Sequence, residues 1–599
     1  MKIKVAQYIA DFLFEHNIEH VFTVTGGGAM HLNDALGHHK KLKCIYNHHE
    51  QASAIAAEAY TRLTGKLPAV CVTSGPGGTN AITGVLGAWL DSIPMFVISG
   101  QVKRETTVKF ADLPLRQLGD QEFDITHCVS GMTKYAVMVF EPNEIRYHLE
   151  KALYLCCNGR GGPVWLDIPL DIQGAVVETD ELKGFDPTEM EQIENPVYDE
   201  PNTEIIIEKI KQAKRPVIFA GTGIRLAKAH PQFITLIEKL QIPVVTAWNA
   251  HDSLWDTHPC YCGRPGTVGT RGGNFIVENS DLLLVLGCRL NIRQISYNYK
   301  DFAKNAYKIV VDIDANELKK PTLDIQLPVH ANVKDVIEAL NRSLPKTTSD
   351  QYAQWLAWCK DINRKYPAVL PEYYPKKTPV NPYIFIKELF EQLEENETIV
   401  CGNGTACVVT FQAAELKKGQ RLFTNSGSAT MGYGLPAAMG ADVATYGKRT
   451  ICIDGDGSIQ MNLQELQTLV HNKLNVKIFL LNNEGYHSMR QTQINLFQPP
   501  LVGVSKESGI SFPDFNKLAY AYGITYEKIE SSDTIDDKIK KTLALEGSAI
   551  CEVMIDPEQF FAPKLSSKVL PDGKIVSPPM DDMFPFLDRD EYEQNKKIK

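Results

Sequence analysis

The chain lacks three features that would each point to a particular class of protein. Its 599 residues contain no apolar run of eighteen positions, no long cluster of Lys or Arg, and no C-x-x-C pair among thirteen cysteines. The first absence argues against a membrane-spanning helix, and a net charge of −10 without a basic cluster argues against a nucleic-acid-binding surface. Scattered cysteines indicate reduced thiols. We therefore expect a cytoplasmic protein that acts on small molecules and binds neither nucleic acid nor membrane.

Short apolar strands alternate with helical patterns along most of the chain. Ala69–Thr73 and Val476–Leu481 are examples, and such segments are typical of parallel sheets covered by helices on both faces. Because 599 residues are too many for one hydrophobic core and domains average about 150 residues, roughly three or four units are expected. The sequence predicts an α/β protein with three doubly wound parallel-sheet domains, at 1–180, 200–342 and 379–560.

Between and beyond these domains the chain changes in composition. Residues 178–203 are acidic, contain three prolines and show little periodicity, which is typical of a connector, and a second connector spans residues 343–378. The tail, residues 561–599, is rich in Pro, Asp and Lys. The sequence leaves open whether this tail is disordered or wraps over the rest of the protein.

The segment Gly455-Asp456-Gly457-Ser458 lies between a predicted strand and a predicted helix, and the next strand leads into Asn483. Gly-Asp-Gly alone is an ordinary turn. Here, neighbouring strand ends bring the side-chain oxygens of Asp456 and Asn483 to one point, and Mg²⁺ prefers such oxygen ligands. The glycines let the backbone approach a phosphate closely, and a helix N-terminus favours anions. The segment therefore predicts a diphosphate anchored through Mg²⁺, as thiamine diphosphate requires.

Two segments of the first domain indicate a cofactor cleft. Glu50 stands between a strand end and an Ala-rich helix, where it is either a solvated charge at the helix start or a buried carboxyl with a raised pKa, suited to proton transfer. Sequence alone does not separate these alternatives. Residues 73–80 are dense in Gly and Pro, which demands a special backbone next to a ligand or another chain.

A series of motifs runs through the chain in a fixed order: H-E-Q-A, S-G-P-G-G-T-N, D-S-I-P, S-G-Q-V, G-R-G-G-P-V-W-L-D-I-P, A-T-M-G-Y-G-L-P-A-A and G-D-G-S…N-N. In this order and spacing, from residue 1 to about 560, the series resembles the acetolactate synthase group of thiamine diphosphate enzymes. The resemblance implies a pyrimidine-binding N-terminal domain, a middle domain, and a C-terminal domain that binds diphosphate and Mg²⁺.

The resemblance also implies roles for single residues. It implies that Glu50 bonds N1′ of the aminopyrimidine ring and drives removal of the proton at thiazolium C2, and that Met431 supports the bent cofactor. Mg²⁺ would be held by Asp456, Asn483 and the backbone carbonyl of Gly485. The other cofactor-binding candidates are Gly77, Asn80, Asn403, Gly404, Thr405, Gly455, Gly457 and Ser458.

The family also bears on assembly and on a further cofactor. Its members place the counterpart of Glu50 on one subunit and the metal site on its partner, so a homodimer or a dimer of dimers with shared active sites is expected. Some members hold FAD in the middle domain. Gly221–Gly223 and Asp312 match positions used there, yet the family's R-F-D-D-R reads R-L-N-I-R at 289–293. The sequence leaves open whether FAD binds.

The chain departs from acetolactate synthase beside the expected substrate. Thr492 and Ser488 replace a Trp and a Met, and Asp120 replaces an apolar residue, while Gln121 persists. We therefore expect a more polar pocket. Gln121 and His487 join Glu50 as candidate catalytic residues.

The predicted activity is decarboxylation of a 2-oxo acid, pyruvate, with transfer of the two-carbon unit to a carbonyl acceptor such as a nucleotide-linked keto sugar. A polar pocket favours hydroxylated acceptors, because each polar group left unpaired costs about 1–3 kcal/mol. The alternatives are acetolactate synthase itself, a 2-oxo acid decarboxylase or oxidase that does not ligate, and a catalytically silent nucleotide-binding protein of the same fold. The presence of Glu50, Asp456 and Asn483 argues against the silent protein.

Overall fold

Three parallel sheets with helices around them follow one another along the chain, in a computed structural model that describes residues 1–190, 196–344, 350–497, 499–569 and 572–597. Alternate residues of each sheet's strands enter different hydrophobic clusters, so both faces of each sheet are covered. The predicted α/β fold class with three doubly wound sheets is confirmed. Residues 191–195 and 345–349, in the predicted connectors, lie outside the described residues.

The N-terminal unit contains strands β1 (Lys2–Lys4), β2 (His20–Thr23), β3 (Lys43–Tyr46), β4 (Ala69–Val72), β5 (Met95–Gln101), β6 (Tyr135–Met138), β7 (Pro163–Pro169) and β8 (Val176–Glu178). Its helices are α1 (Val5–Glu15), α2 (Met30–His38), α3 (Glu50–Thr64), α4 (Pro76–Leu90), α5 (Val108–Ala111), α6 (Ile125–Val129), α7 (Ile145–Cys157) and α8 (Leu170–Gly174). Six strands form a parallel sheet in the order β3-β2-β4-β5-β7-β6, and β1 pairs antiparallel with β8.

The middle unit contains strands β9 (Pro216–Ala220), β10 (Val244–Thr246), β11 (Leu282–Leu286), β12 (Tyr307–Asp312) and β13 (Leu327–His330). Its helices, with that of the second connector, are α9 (Pro201–Gln212), α10 (Gly223–Leu226), α11 (His230–Leu240), α12 (Arg271–Glu278), α13 (Ile292–Ile295), α14 (Val333–Ser343) and α15 (Ala353–Lys365). The strands form a parallel sheet in the order β10-β9-β11-β12-β13.

The C-terminal unit contains strands β14 (Thr398–Cys401), β15 (Arg421–Phe423), β16 (Thr450–Gly455), β17 (Val476–Asn482), β18 (Thr525–Ile529) and β19 (Ala549–Met554). Its helices are α16 (Pro382–Gln392), α17 (Thr405–Ala413), α18 (Gly434–Ala444), α19 (Glu465–His471), α20 (His487–Leu496), α21 (Phe515–Tyr522) and α22 (Ile535–Ala544). The sheet order β15-β14-β16-β17-β19-β18 repeats that of the N-terminal unit, strand for strand.

This shared order fixes where ligands can bind. The order reverses between β2 and β4 in one sheet and between β14 and β16 in the other, and open parallel sheets bind ligands at the carboxyl ends of strands beside such a reversal. The loops that follow β14 and β16 contain Asn403, Gly404, Asp456, Gly457 and Ser458, and α4, which follows β4, contains Gly77 and Asn80.

Helices α3 and α18 pack directly against each other and join the N-terminal unit to the C-terminal unit. The contact depends on small side chains: a Cβ atom added to Gly440 would lie 2.1 Å from the carbonyl oxygen of Ala56. Only a residue without a side chain allows this approach of the two backbones.

The described part of the tail wraps over the middle unit, which resolves the two alternatives left open by the sequence. The Arg271 guanidinium donates to the carbonyl oxygens of Met583 and Pro585 at 3.1 and 2.6 Å. The Asn274 amide donates to the carbonyl oxygen of Met580 at 2.8 Å. The tail's elements are β20 (Lys568–Val569), β21 (Ile575–Val576) and α23 (Arg589–Gln594).

Within the described ranges, none of the helices combines the length and the apolar character needed to cross a membrane.

Candidate active site

Two neighbouring strand ends of the C-terminal sheet bring the predicted metal ligands together. β16 and β17 are parallel, with Gly455 beside Leu481, so Asp456 and Asn483 follow at the same edge. Asp456 is 1% exposed and accepts hydrogen bonds from the backbone N–H groups of Gly457 at 2.9 Å and Gly485 at 3.1 Å. The structure therefore brings Asp456 and Asn483 to the same edge of the sheet.

Asn483 contributes an oxygen that no described protein group uses. Its Oδ1 atom is buried and has no hydrogen-bond partner among the residues of the described ranges. An unpaired buried acceptor is costly, and a hard cation is one partner that would satisfy it. Burial also raises the pKa of Asp456 to about 7, and a bound cation would favour its ionised form. The donors at this edge therefore fit Mg²⁺.

The loop after β14 borders a small cavity. Gly404 has a φ of 63°, a left-handed conformation that favours glycine, and it precedes the first residue of α17. Asn403 and Gly404 line a cavity of about 110 Å³ together with Ala429 and Ser488. Backbone N–H groups at such a helix start suit a phosphate.

His487 is the first residue of α20 and lies beside this cavity. Its Nδ1 atom is 3.0 Å from the Thr405 hydroxyl, and Phe561 packs edge-on against its ring at 5.1 Å. Burial lowers the pKa of His487 to about 4, so the imidazole is neutral near pH 7. Its Nε2 atom is buried and makes no hydrogen bond of ordinary geometry in the described part of the chain, although the Pro557 carbonyl lies near enough to the ring to oppose the effect of burial on the pKa.

The loop that contains Met431 is attached to the metal loop. The backbone N–H of Gly432 donates to the Ser458 hydroxyl at 3.0 Å, and the Asn462 amide donates to the carbonyl oxygen of Gly432 at 2.8 Å. Met431 is partly buried beside these contacts. Met431 and Ser458 thus belong to one group with Asp456.

Glu50 lies in a second group, on the N-terminal unit. It is the first residue of α3, it is buried, and its Oε2 atom accepts a hydrogen bond from the Asn80 amide at 3.0 Å. A Cβ atom added to Gly77 would lie 3.7 Å from Glu50 Oε1, so Gly77 also borders the carboxylate. Glu50 is 8% exposed, so this helix start is buried rather than solvated.

Gln121 approaches the second group through its backbone. The residue is exposed, with a φ of 61°, and its carbonyl oxygen would lie 2.7 Å from a Cβ atom on Gly75. Gly75 itself has a φ of 57° and precedes α4, which contains Gly77 and Asn80. Gln121 therefore borders the Gly-rich turn beside Glu50.

The two groups are connected by residues that motif reasoning missed. Asn462 donates to the Gln51 amide oxygen at 3.3 Å, and Glu465 accepts hydrogen bonds from the segment before Glu50. Among the described residues, no direct hydrogen bond joins Glu50 to Asp456 or Asn483. The stretch M-N-L-Q-E-L, directly after G-D-G-S-I-Q, was the available signal, since it contains Asn462 and Glu465 close behind the metal loop.

A larger cavity of about 410 Å³ opens between the middle unit and its neighbours. Four cationic side chains line it: Arg160, Lys228, Arg289 and Arg293. Asp312 lines it as well, at the end of β12, where burial raises its pKa to about 6. Trp248, Arg293 and Ser426 line both this cavity and the smaller one. Asp91 also lines it, and Arg160 and Arg289 pair with carboxylates of the middle unit. Among the described residues Lys228 and Arg293 make no ion pair, and these two side chains suit an anionic ligand.

Comparisons with known proteins match all three units. The family models for the thiamine pyrophosphate enzyme N-terminal TPP binding domain, central domain and C-terminal TPP binding domain match residues 3–127, 203–340 and 402–553. These matches fall on the three sheets, in chain order.

Curated relatives cover nearly the whole chain. The acetolactate synthase isozyme 1 large subunit of Escherichia coli K12 is 32% identical over 558 residues, which is 92% of this chain and 94% of the relative. The acetolactate synthase large subunits of Cyanidium caldarium and Lactococcus lactis are each 31% identical and cover 91% and 95% of this chain and 92% and 96% of the relatives. The resemblance inferred from the motifs is confirmed.

Proposed function

Because the chain belongs to the thiamine pyrophosphate enzymes of the acetolactate synthase type, we propose that it decarboxylates pyruvate and joins the two-carbon unit to a carbonyl acceptor. The enzyme is a thiamine diphosphate-dependent carboligase; the donor and the acceptor are the proposal. One observation carries most weight: Asp456 and the unpaired Asn483 oxygen are buried together where β16 and β17 end. A catalytically silent protein that binds no metal would gain nothing from an unpaired buried acceptor at this position, which costs stability.

Mg²⁺ would be held by Asp456 Oδ, Asn483 Oδ1 and the carbonyl oxygen of Gly485. Asn403, Gly404 and Thr405 would hold the diphosphate, supported by the left-handed Gly404 and the start of α17. When bound, thiamine diphosphate supplies a carbanion at its thiazolium C2 atom and accepts the electrons that decarboxylation releases.

Glu50 would hold and exchange a proton with N1′ of the aminopyrimidine ring. The buried position supports this role, since a carboxyl shielded from water keeps a directed hydrogen bond to a ring nitrogen. Asn80 donates to its Oε2 atom, which leaves Oε1 beside Gly77 for the ring. Gly77, without a side chain, leaves room for a flat ligand there.

His487 would move a proton at its Nε2 atom. Its neutral state and its unpaired buried nitrogen support this role, and Thr405 fixes the ring through Nδ1. Gln121, on the exposed loop next to Gly75, would contact the substrate from the opposite side. Both residues would contact the reacting substrate and the acceptor rather than the metal.

The acceptor would be a hydroxylated carbonyl compound, such as a nucleotide-linked keto sugar. Ser488 lines the small cavity and replaces an apolar family residue, which supports a polar acceptor. The middle cavity and the small cavity adjoin each other, because both are lined by Trp248, Arg293 and Ser426. We also propose that the middle cavity binds FAD or another nucleotide, because cationic side chains in its lining can contact phosphate groups. Acetolactate synthesis from two pyruvates is the second candidate, supported by the names of the relatives.

A homodimer, or a dimer of dimers, would complete each site. Asn80 is exposed although its partner Glu50 is buried. Met461, shortly after the metal loop, and Met489, within α20, are 48% and 50% exposed. Exposed apolar residues next to polar site residues are typical of a surface that another chain covers.

The test is product analysis with pyruvate, thiamine diphosphate and Mg²⁺, with and without carbonyl acceptors. We expect release of CO₂ together with a ligated product, and a higher rate with a hydroxylated acceptor than with a second pyruvate. Free acetaldehyde without any ligated product would contradict carboligation. Acetolactate formed at a rate that no added acceptor changes would favour the second candidate.

A further inference from the structure

One carboxylate of the C-terminal unit holds the turn that precedes Glu50. Residues 47–49 connect β3 to α3, whose first residue is Glu50. The Asn47 amide donates to Oε2 of Glu465 at 3.0 Å, and the backbone N–H of His48 donates to Oε1 of Glu465 at 3.0 Å. These bonds span more than four hundred residues of sequence, so they form only when both units are in place.

Glu465 is fully buried, and its carboxylate accepts hydrogen bonds from both sides. Besides the two bonds from the turn, Oε2 accepts a bond from the Thr468 hydroxyl at 2.7 Å. All three donors are uncharged. A carboxylate suits this position because both of its oxygens accept; an amide of the same shape would direct N–H groups at one of the donors.

The turn is fixed on its other sides as well. The Ser53 hydroxyl, in the first turn of α3, donates to the Asn47 amide oxygen at 3.0 Å, and the Asn47 backbone N–H donates to the carbonyl oxygen of Thr23 at 2.9 Å. Asn47 therefore links Glu465 to the turn of the helix that contains Glu50. Any shift of the Glu465 carboxylate passes to the start of α3 through bonds at both Asn47 and His48.

We propose that Glu465 is a positioning residue for Glu50: it fixes the 47–49 turn, and thereby the place where the Glu50 carboxylate meets the aminopyrimidine ring. The inference rests on the proposed function, in which Glu50 exchanges a proton with N1′. It adds that the C-terminal unit, which contains the metal loop, also fixes the position of the Glu50 carboxylate on the N-terminal unit.

The test is Glu465→Gln, compared with Glu527→Gln. Glu527 is another buried carboxylate of the same unit and lies on edge strand β18, away from the site. Its Oε2 atom accepts a hydrogen bond from Lys538 Nζ at 2.7 Å. We expect Glu465→Gln to bind thiamine diphosphate and Mg²⁺ with unchanged affinity. Its kcat and its rate of hydrogen exchange at the C2 atom of bound cofactor should fall about tenfold to a hundredfold, as small misplacements do. Glu527→Gln should leave both rates unchanged.

A measurement on the cofactor-free protein checks the turn directly. Backbone amide exchange of the peptide that contains residues 46–52 should become faster in Glu465→Gln and remain as in the wild type in Glu527→Gln. If Glu465→Gln does not fold, Asn47→Ala removes the side-chain bonds from residue 47 to Glu465 and Ser53 and leaves the bond from the His48 N–H, so the same changes are expected at a smaller size.

A double-mutant comparison separates positioning from a general structural role. If Glu465 acts through Glu50, adding Glu465→Gln to Glu50→Gln will not lower the C2 exchange rate further. An additive loss, or wild-type rates together with unchanged exchange of residues 46–52, would overturn the inference and leave the proposed function standing. Wild-type turnover in Glu50→Gln alone would instead overturn the proposed function, and the inference with it.

Discussion

At the scale of single residues, some buried polar groups of the site are hydrogen-bonded to the protein, and others have no hydrogen-bond partner among the described residues. Asp456 is held by two backbone N–H groups, whereas Asn483 Oδ1 and His487 Nε2 have no partner among the described residues. Of the buried polar atoms that lack a partner among the described residues, these two lie at the candidate site, and a ligand bound there would satisfy them. The held groups set the geometry, and the free atoms are left to bind.

For His487 we predict a loss of turnover without a loss of cofactor. His487→Gln removes the group that would move a proton, and general acid–base contributions are typically about 10²-fold to 10⁴-fold in rate. We expect kcat to fall within that range, with the Kd of thiamine diphosphate unchanged by fluorescence titration. His20→Gln is the matched control, because His20 is also buried with a lowered pKa but bonds Tyr60 within the N-terminal unit. Equal kcat values in both variants would rule out the role.

Asp167 gives a prediction about pH. It is fully buried, and burial raises its pKa to about 7 although Ser99 and Gln101 donate to it. A carboxyl whose folded pKa is raised contributes its full stability below the unfolded value of about 4 and loses it as pH rises through 7. We expect the free energy of unfolding to decrease as pH rises from 4 to 7, and Asp167→Asn to make that decrease smaller by an amount on the order of 4 kcal/mol. An identical pH profile in the variant would contradict this account.

At the scale of elements, the strands were predictable and their contacts were not. Val476–Leu481 was predicted from sequence, and the strand occupies Val476–Asn482, since a short apolar run ending in polar residues suffices to define a buried parallel strand. The burial of Glu50 depends on how α3 packs against α4, which no local pattern contains. The bonds from Glu465 to the turn before α3 connect segments more than four hundred residues apart, beyond the reach of any window.

The contact between α3 and α18 holds the N-terminal unit against the C-terminal unit. Gly440→Ala would place a Cβ atom 2.1 Å from the backbone oxygen of Ala56, so the two helices must move apart. Overpacking of this kind typically costs about 1–3 kcal/mol. We expect a lower midpoint of thermal unfolding and weaker binding of thiamine diphosphate. Gly131→Ala, where an added Cβ meets nothing within 4 Å, should change neither value. A Gly440→Ala protein as stable as the wild type would show that the helices adapt at no cost.

At the scale of the whole molecule, the two six-stranded sheets share one strand order, and each has a cluster of candidate residues where that order reverses. The motif series predicted this duplication of site halves, because each half has its own Gly-rich strand end. The course of the tail over the middle unit was not predictable, since its bonds are made largely by backbone carbonyls and leave no pattern in the sequence.

The proposal that each active site is shared between two subunits makes a prediction about mixed subunits. Glu50→Gln and Asp456→Asn should each be inactive alone, because each lacks one half of every site. If the halves come from different subunits, a dimer of one variant with the other has one intact site, and random mixing should restore about a quarter of wild-type activity. The measurement is turnover after the two variants are unfolded and refolded together. Mixed dimers without any recovery would show that each chain supplies a whole site.

The most direct test of the central claim is made on Glu50→Gln, with cofactor binding and turnover measured on the same preparation. The account predicts that the variant binds thiamine diphosphate and Mg²⁺ with nearly the affinity of the wild type, because Asp456, Asn483 and the loop after β14 are untouched. It predicts that turnover of pyruvate is abolished, because no carboxylate remains to exchange a proton with N1′. Wild-type turnover in this variant would contradict the account.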